Sequence, residues 1–239
     1  VLADDPENID ALTELEKLYE REKLWTELGG VLEHQVAMTT DAARRSAIYV
    51  KLGVLYTEKV QDGAKATEAW QALLAQEPDN RRAQDALKKL YLQNKDWDAL
   101  EKFYAAQGKW DELVRVLERQ AETEDGVSLW NKIGELYRDK LNKSDRAQKA
   151  FEKALSIDAQ NLVAAEALIP LYEKGKDVRR LGEALLVQLN HTTDKAERHA
   201  RTQRLSQLLE TDAGDKSAAL WITLRGFSEN PTDEWAQTT

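Results

Sequence analysis

Apolar positions recur at helical spacing along almost the whole chain, and nowhere do they alternate as they would in a strand. The clearest stretch is 128–161, SLWNKIGELYRDKLNKSDRAQKAFEKALSIDAQN. Leu129, Ile133, Leu136 and Tyr137 share one face of a first helix, and Ala147, Ala150, Phe151, Ala154 and Leu155 share one face of a second. Asn142 to Asp145 is the polar break between them. The small residues have a packing reason. Gly134 lets the second helix come close, Ala147 and Ala154 keep it close, and Trp130, Tyr137 and Phe151 fill the space that remains.

This spacing, Trp130-x2-Ile133-Gly134-x2-Tyr137 and then Ala147-x3-Phe151, resembles the signature of the tetratricopeptide repeat. An earlier copy reads Tyr49-x2-Leu52-Gly53-x2-Tyr56, then Ala66-x3-Trp70 and Pro78. Both carry one residue more between Tyr and Ala than the roughly 34-residue pattern, which predicts a slightly longer turn. A third copy is degenerate, with Thr202, Leu205, Ser206 and Leu209 in the first helix and Ala219, Thr223, Gly226 and Pro231 after it. Loss of the aromatics predicts looser packing there, with Trp221 as a candidate to compensate. The resemblance implies an all-α, right-handed superhelical solenoid of antiparallel helix hairpins, with about 13 helices on the count of periodic segments.

A longer repeat contains the shorter one. The segments DPENIDALTELEKLYEREKLWTEL, EPDNRRAQDALKKLYLQNKDWDAL and DAQNLVAAEALIPLYEKGKDVRRL start at Asp5, Glu77 and Asp158. Each has Asn at its fourth place (Asn8, Asn80, Asn161) and Leu-Tyr further on (Leu18-Tyr19, Leu90-Tyr91, Leu171-Tyr172). The chain therefore divides into units 5–76, 77–157 and 158–229, with a truncated fourth copy over 230–239, all within one solenoid over 1–239. In the first unit the pattern predicts helices near 8–21, 24–38, 41–59 and 63–76. The second unit is longer because KDWDAL at 95–100 is echoed by KWDEL at 109–113, which predicts an inserted short helix near 96–106 and a further one near 109–123. Gly29, Gly30 and Gly182 are expected to weaken or kink their helices, and Pro170 to kink the one near 161–174. Trp25 and Trp97, just past their turns, read as aromatics that cap a hairpin.

Charge changes the picture by exclusion. The 239 residues carry a formal net charge of −9, and the Arg44-Arg45, Arg81-Arg82 and Arg179-Arg180 pairs stand isolated among acids. No basic run suits a phosphate backbone, so nucleic acid is not an expected partner. There are no cysteines, which removes disulfides and thiolate chemistry; a reducing cytoplasm fits, and a periplasmic chain without disulfides fits as well. No apolar run approaches the ~20 residues needed to span a bilayer, and no signal segment opens the chain. Starting at Val1 rather than Met, the sequence reads as a processed chain or a piece of a longer one. His34, His191 and His199 have no companions at metal-ligand spacing, no nucleotide or nucleophile motif is present, and no cofactor, metal site or enzyme activity is expected.

In the family this chain resembles, the second, fifth, ninth and twelfth signature positions of the first helices line a concave surface that holds peptides or partner domains. Carried over, these are Ala47, Val50, Val54 and Thr57, then Ser128, Asn131, Glu135 and Arg138, then Ala200, Gln203, Gln207 and Glu210. The inner pairs Val50/Val54, Asn131/Glu135 and Gln203/Gln207, together with Arg138, are the candidate partner-binding residues. Members that clamp a carboxylate have a Lys/Asn pair at the fifth and ninth places, which this chain lacks. The expected function is a non-catalytic scaffold for a protein or peptide partner. A self-assembling repeat array and a regulatory domain of a larger enzyme remain as alternatives, and the oligomeric state stays open.

Overall fold

A computed structural model describes residues 8–122 and 126–229. Among them are thirteen α-helices: α1 (Ile9–Glu22), α2 (Trp25–Met38), α3 (Ala42–Leu55), α4 (Gly63–Gln76), α5 (Arg81–Gln93), α6 (Trp97–Ala105), α7 (Trp110–Ala121), α8 (Gly126–Asp139), α9 (Ser144–Ile157), α10 (Leu162–Gly175), α11 (Val178–His191), α12 (Lys195–Gln207) and α13 (Lys216–Glu229). No strand occurs among the described residues. The helices predicted near 96–106 and 109–123 are α6 and α7. The fourth copy over 230–239, including Pro231, lies outside the described residues.

The chain forms two compact units, Val1–Phe103 and Tyr104–Thr239. Their boundary falls inside α6, the short helix read as an insertion, and not between the copies of the longer repeat. In the first unit α1 packs on α2, α2 on α3, α3 on α4 and α4 on α5. In the second, every helix from α7 to α13 packs on the next. Connections of a few residues force consecutive helices to run antiparallel, so each unit is a row of hairpins.

The signature glycines sit where two helices touch. A Cβ on Gly53 would lie 2.4 Å from the Trp70 ring, and one on Gly134 would lie 2.6 Å from the Phe151 ring. Trp70, Phe151, Ile133 and Ala147 are fully or almost fully buried. Gly29 serves the same end in α2, with the Tyr56 hydroxyl 2.5 Å from where its Cβ would be; Gly30 beside it has open space. α10 stays helical through Pro170.

The asparagines of the longer repeat are helix N-caps. Asn8, Asn80 and Asn161 accept from the backbone N–H of Ala11, Ala83 and Ala164 at 2.9, 3.1 and 2.8 Å. The same copies share a feature the pattern reading did not single out. Lys23, Lys95 and Lys176 all adopt positive φ, at 58°, 54° and 55°, and end α1, α5 and α10. The next residue's N–H then bonds back to the carbonyl of Tyr19, Tyr91 or Tyr172 at 2.9, 2.9 and 3.0 Å, closing each helix.

The extra residue between Tyr and Ala is taken up by widening the last turn. After α3, Tyr56–Val60 forms a π-helical turn, and Leu208–Asp212 does so after α12. After α8, the Leu141 N–H reaches the Leu136 carbonyl five residues back at 3.1 Å. In the last hairpin hydroxyls replace the missing aromatics. Ser206 and Thr223 are buried, their oxygens are 2.9 Å apart, and both bond the Ala219 carbonyl. Trp221 does not compensate, because it is 57% exposed.

Candidate partner-binding groove

A groove of about 360 Å³ opens in the first unit. Its apolar wall comes from α2 (Trp25, Leu28, Leu32) and α3 (Val50, Val54, Leu55). Leu28, Leu32 and Leu55 are buried, while Trp25, Val50 and Val54 are half-buried and present the accessible part of that wall. The rim is charged, with Glu16 and Glu20 from α1, Lys51 from α3, Lys59 from the π-helical turn and Arg82 from the first turn of α5.

α2 and α3 are held at this spacing by a clasp behind the groove. The Tyr56 hydroxyl donates to Glu33 of α2 at 2.6 Å, and Lys65 of α4 donates to the same carboxylate at 3.0 Å. The Tyr56 ring fits over Gly29, so the α2 backbone comes within contact of the end of α3. Burial pushes the Glu33 carboxyl up, but the hydrogen bonds from Tyr56 and Lys65 outweigh it and hold the carboxyl below its ordinary range. Burial, reinforced by the bond to Glu33, raises the Tyr56 phenol. On the rim, Glu16 is neutralised by Lys51 at 2.5 Å and also accepts from Gln35 at 3.0 Å.

A groove in the second unit, about 370 Å³, differs in kind. Glu118, Glu122, Arg146, Lys149 and Lys153 surround Trp130 and Tyr137 there. Its charges largely satisfy one another. Lys153 lies 4.0 Å from the Trp130 ring centroid and 3.8 Å from Glu122, and Glu118 accepts from Tyr137.

The tetratricopeptide repeat profile matches residues 127–161 and, in a second form, residues 97–128. The stretch 97–161 is thus similar to tetratricopeptide repeats. The second match runs through α6 and α7, so the helix read as an insertion opens a repeat of its own. Two solved structures are similar at low identity. For the crystal structure of MamA protein, identity is 17%, coverage 78% of this chain and 92% of that one, and the TM-score 0.33. For PilF of Pseudomonas aeruginosa the values are 15%, 95%, 94% and 0.35. No curated protein matches.

The tetratricopeptide positions carried over from sequence meet different fates. Val50 and Val54 line the groove in the first unit. Ala47, on the same helix, is exposed. Thr57 is structural, since it accepts from Trp70 Nε1 at 3.3 Å and donates to the Gly53 carbonyl at 2.6 Å. Asn131 is tied up within its own unit. Its amide donates at 3.0 Å to Asn161, the cap of α10, and its Oδ1 is buried with no hydrogen-bond partner. Arg138 bonds both carboxylate oxygens of Asp139 at 2.7 and 3.0 Å, while Ser128 and Glu135 are exposed. On α12, Gln203 is half-buried, and Ala200 and Gln207 are exposed, as is Glu210 in the turn that follows. The structure thus gathers Val50 and Val54 into a cavity.

Sequence reasoning missed Trp25, read as a hairpin cap but standing in the groove wall. The available signal was its place opposite Val50 and Val54, one helix earlier in the repeat. Among the described residues no three metal-ligating side chains gather, and no helix is long and apolar enough to cross a membrane.

Proposed function

We propose that this chain is a non-catalytic scaffold that holds an extended peptide or a short segment of a partner protein in the groove of the first unit. Tetratricopeptide repeats generally mediate protein–protein interaction, and the stretch 97–161 is similar to them. The observation that carries the reading is the apolar wall of Trp25, Leu28, Leu32, Val50 and Val54 beneath a charged rim. Ligand sites are concave, mostly apolar and fixed in orientation by a few polar groups. Because helix packing and the Tyr56 clasp preform the wall, little ordering entropy is lost on binding. Binding energy concentrates in a few central, desolvated residues, which here are Trp25 and Val54.

The test is selection of linear peptides from a random display library on the intact chain. Val54→Glu puts a charge on the wall and should weaken the selected peptides at least tenfold. Lys149→Ala, on α9 in the second unit, should leave them unchanged. Equal affinity for wild type and Val54→Glu would remove the groove as the binding surface.

A second reading, self-association, is favoured by one observation. Leu220, Trp221, Leu224 and Phe227 form an exposed row on α13, at 55, 57, 55 and 36%. Light scattering over a concentration series separates the two, because an assembling chain grows in mass and a scaffold does not.

A further inference from the structure

The rim of the groove is not electrically balanced. Glu16 and Lys51 cancel as an ion pair, and Gln35 fills another acceptor site on Glu16. Lys59 and Arg82 remain, both exposed. Lys59 Nζ stands 5.7 Å from the Trp25 ring centroid, and the Arg82 guanidinium 5.9 Å from that of Trp70. Neither has a carboxylate within ion-pair distance among the described residues. Glu20 is the one carboxylate left on the rim without a cation. Two unneutralised cations therefore border an apolar wall, on a chain whose formal net charge is −9.

The placement of Lys59 has a structural cause. It sits in the π-helical turn Tyr56–Val60, where the extra residue of the repeat is absorbed, and it follows Val54 and Leu55 along the same continuous stretch of helix. Arg82 is held at the groove by the Asn80 cap, which fixes where α5 begins. Both cations stand outside the four signature positions read from the sequence.

We propose that the occupant of this groove is an acidic peptide segment. One large apolar side chain enters between Trp25, Leu28, Val50 and Val54, and an adjacent Asp or Glu carboxylate is taken by Lys59 and Arg82. The inference rests on the groove reading above and adds the chemistry of the partner. Complementary charge at a rim sets which partner is accepted and how fast it arrives more than it adds affinity. The overall negative charge repels acidic partners at long range, so the discrimination is local. Salt would screen both the repulsion and the local attraction, and charge reversal is therefore the informative measurement.

Random linear peptides are displayed against wild type, Val54→Glu and the double variant Lys59→Glu/Arg82→Glu, each of the full chain and each checked by circular dichroism. Val54→Ser replaces Val54→Glu if the latter loses helicity. Wild type should enrich peptides with Asp or Glu beside Leu, Ile, Met or Phe. For the tightest one, changing its acids to amides should weaken binding about tenfold or more, as should the double variant, whose own selection should shift to Lys- or Arg-bearing peptides. If Val54-dependent peptides carry no acidic preference, or bind the double variant within threefold of wild type, the acidic-partner inference is overturned while the groove stands. If no enriched peptide depends on Val54, both are overturned.

Discussion

At the scale of single residues, three glycines where helices touch are each one half of a pair whose other half is aromatic. Gly53 faces Trp70, Gly134 faces Phe151 and Gly29 faces Tyr56. Alanine at Gly53 would gain up to ~1 kcal/mol of helix propensity, but its Cβ would press into a buried ring, and overpacking costs ~1–3 kcal/mol. Gly53→Ala should therefore destabilise the protein. Gly30→Ala should stabilise it by ~0.5–1 kcal/mol, because nothing lies within 4 Å of the added carbon. Urea midpoints of the two variants check this, and shifts of the same sign would contradict it. Phe151→Ala empties a fully buried site, with an expected loss of ~3–5 kcal/mol in the same assay.

Between helices, the recurring device is a tyrosine that joins three of them. Tyr56 donates to Glu33 with Lys65 beside it, Tyr137 to Glu118 with Arg146 within 3.5 Å of its oxygen, and Tyr172 to Glu152 with Arg180 on the same carboxylate. In each case the carboxylate comes from the preceding helix and the cation from the following one. Where the pattern falls on Tyr91, Gln71 takes the carboxylate's place and donates instead, at 2.8 Å. These clasps carry a pH dependence. The Glu33 carboxyl titrates below its ordinary 4.5 in the folded chain, so its contribution is fully present above that value and is lost as pH falls through the lowered one. Glu33→Gln should thus be less stable than wild type at pH 7, and the gap in urea midpoint should close as acidification passes through the lowered range of Glu33. A gap independent of pH would show that the carboxylate charge plays no part. The helix ends give another test. Lys176 holds a left-handed conformation, which costs a residue with a Cβ ~1–2 kcal/mol, against ~0.5–1 kcal/mol of chain entropy that glycine would add. Lys176→Gly is expected to raise stability by ~0.5–1 kcal/mol in thermal denaturation.

Over the whole molecule, each compact unit has its own core. Leu32, Trp70, Leu73 and Leu87 are buried in the first, and Leu117, Ile133, Phe151, Leu168 and Leu189 in the second. Within each unit contacts run between consecutive helices, so stability is a sum of local terms and unfolding should not be strictly two-state. Hydrogen exchange resolves this by segment. Phe151→Ala should speed exchange most in α8 and α9 and leave α2 to α4 near wild type. Uniform acceleration along the chain would mean a single cooperative core.

The helices and their order were legible in the sequence because helical periodicity is a local property of side-chain spacing. Ends fell within a residue or two wherever a cap such as Asn8 or Asp62 supplied a local stop. The pairing of Gly53 with Trp70 and of Gly134 with Phe151 was legible as well, since both members sit on adjacent helices of one hairpin; that of Gly29 with Tyr56, which joins two hairpins, was not, and Gly29 was expected only to weaken its helix. What the pattern could not show was which carried-over positions would be free. Asn131 and Thr57 have polar groups suited to a ligand, yet the Asn131 amide nitrogen is bonded to Asn161 with its Oδ1 buried, and the Thr57 hydroxyl is taken by Trp70 and Gly53. Trp25 reached the groove wall, and Trp221 stayed exposed, for reasons no single-helix pattern contains. A helix face is set by angles along one chain segment, and every residue on it is decided locally. A cavity and its unpaired charges arise where side chains from α1, α2, α3 and α5 converge, and only packing between helices determines which of them are left for a partner.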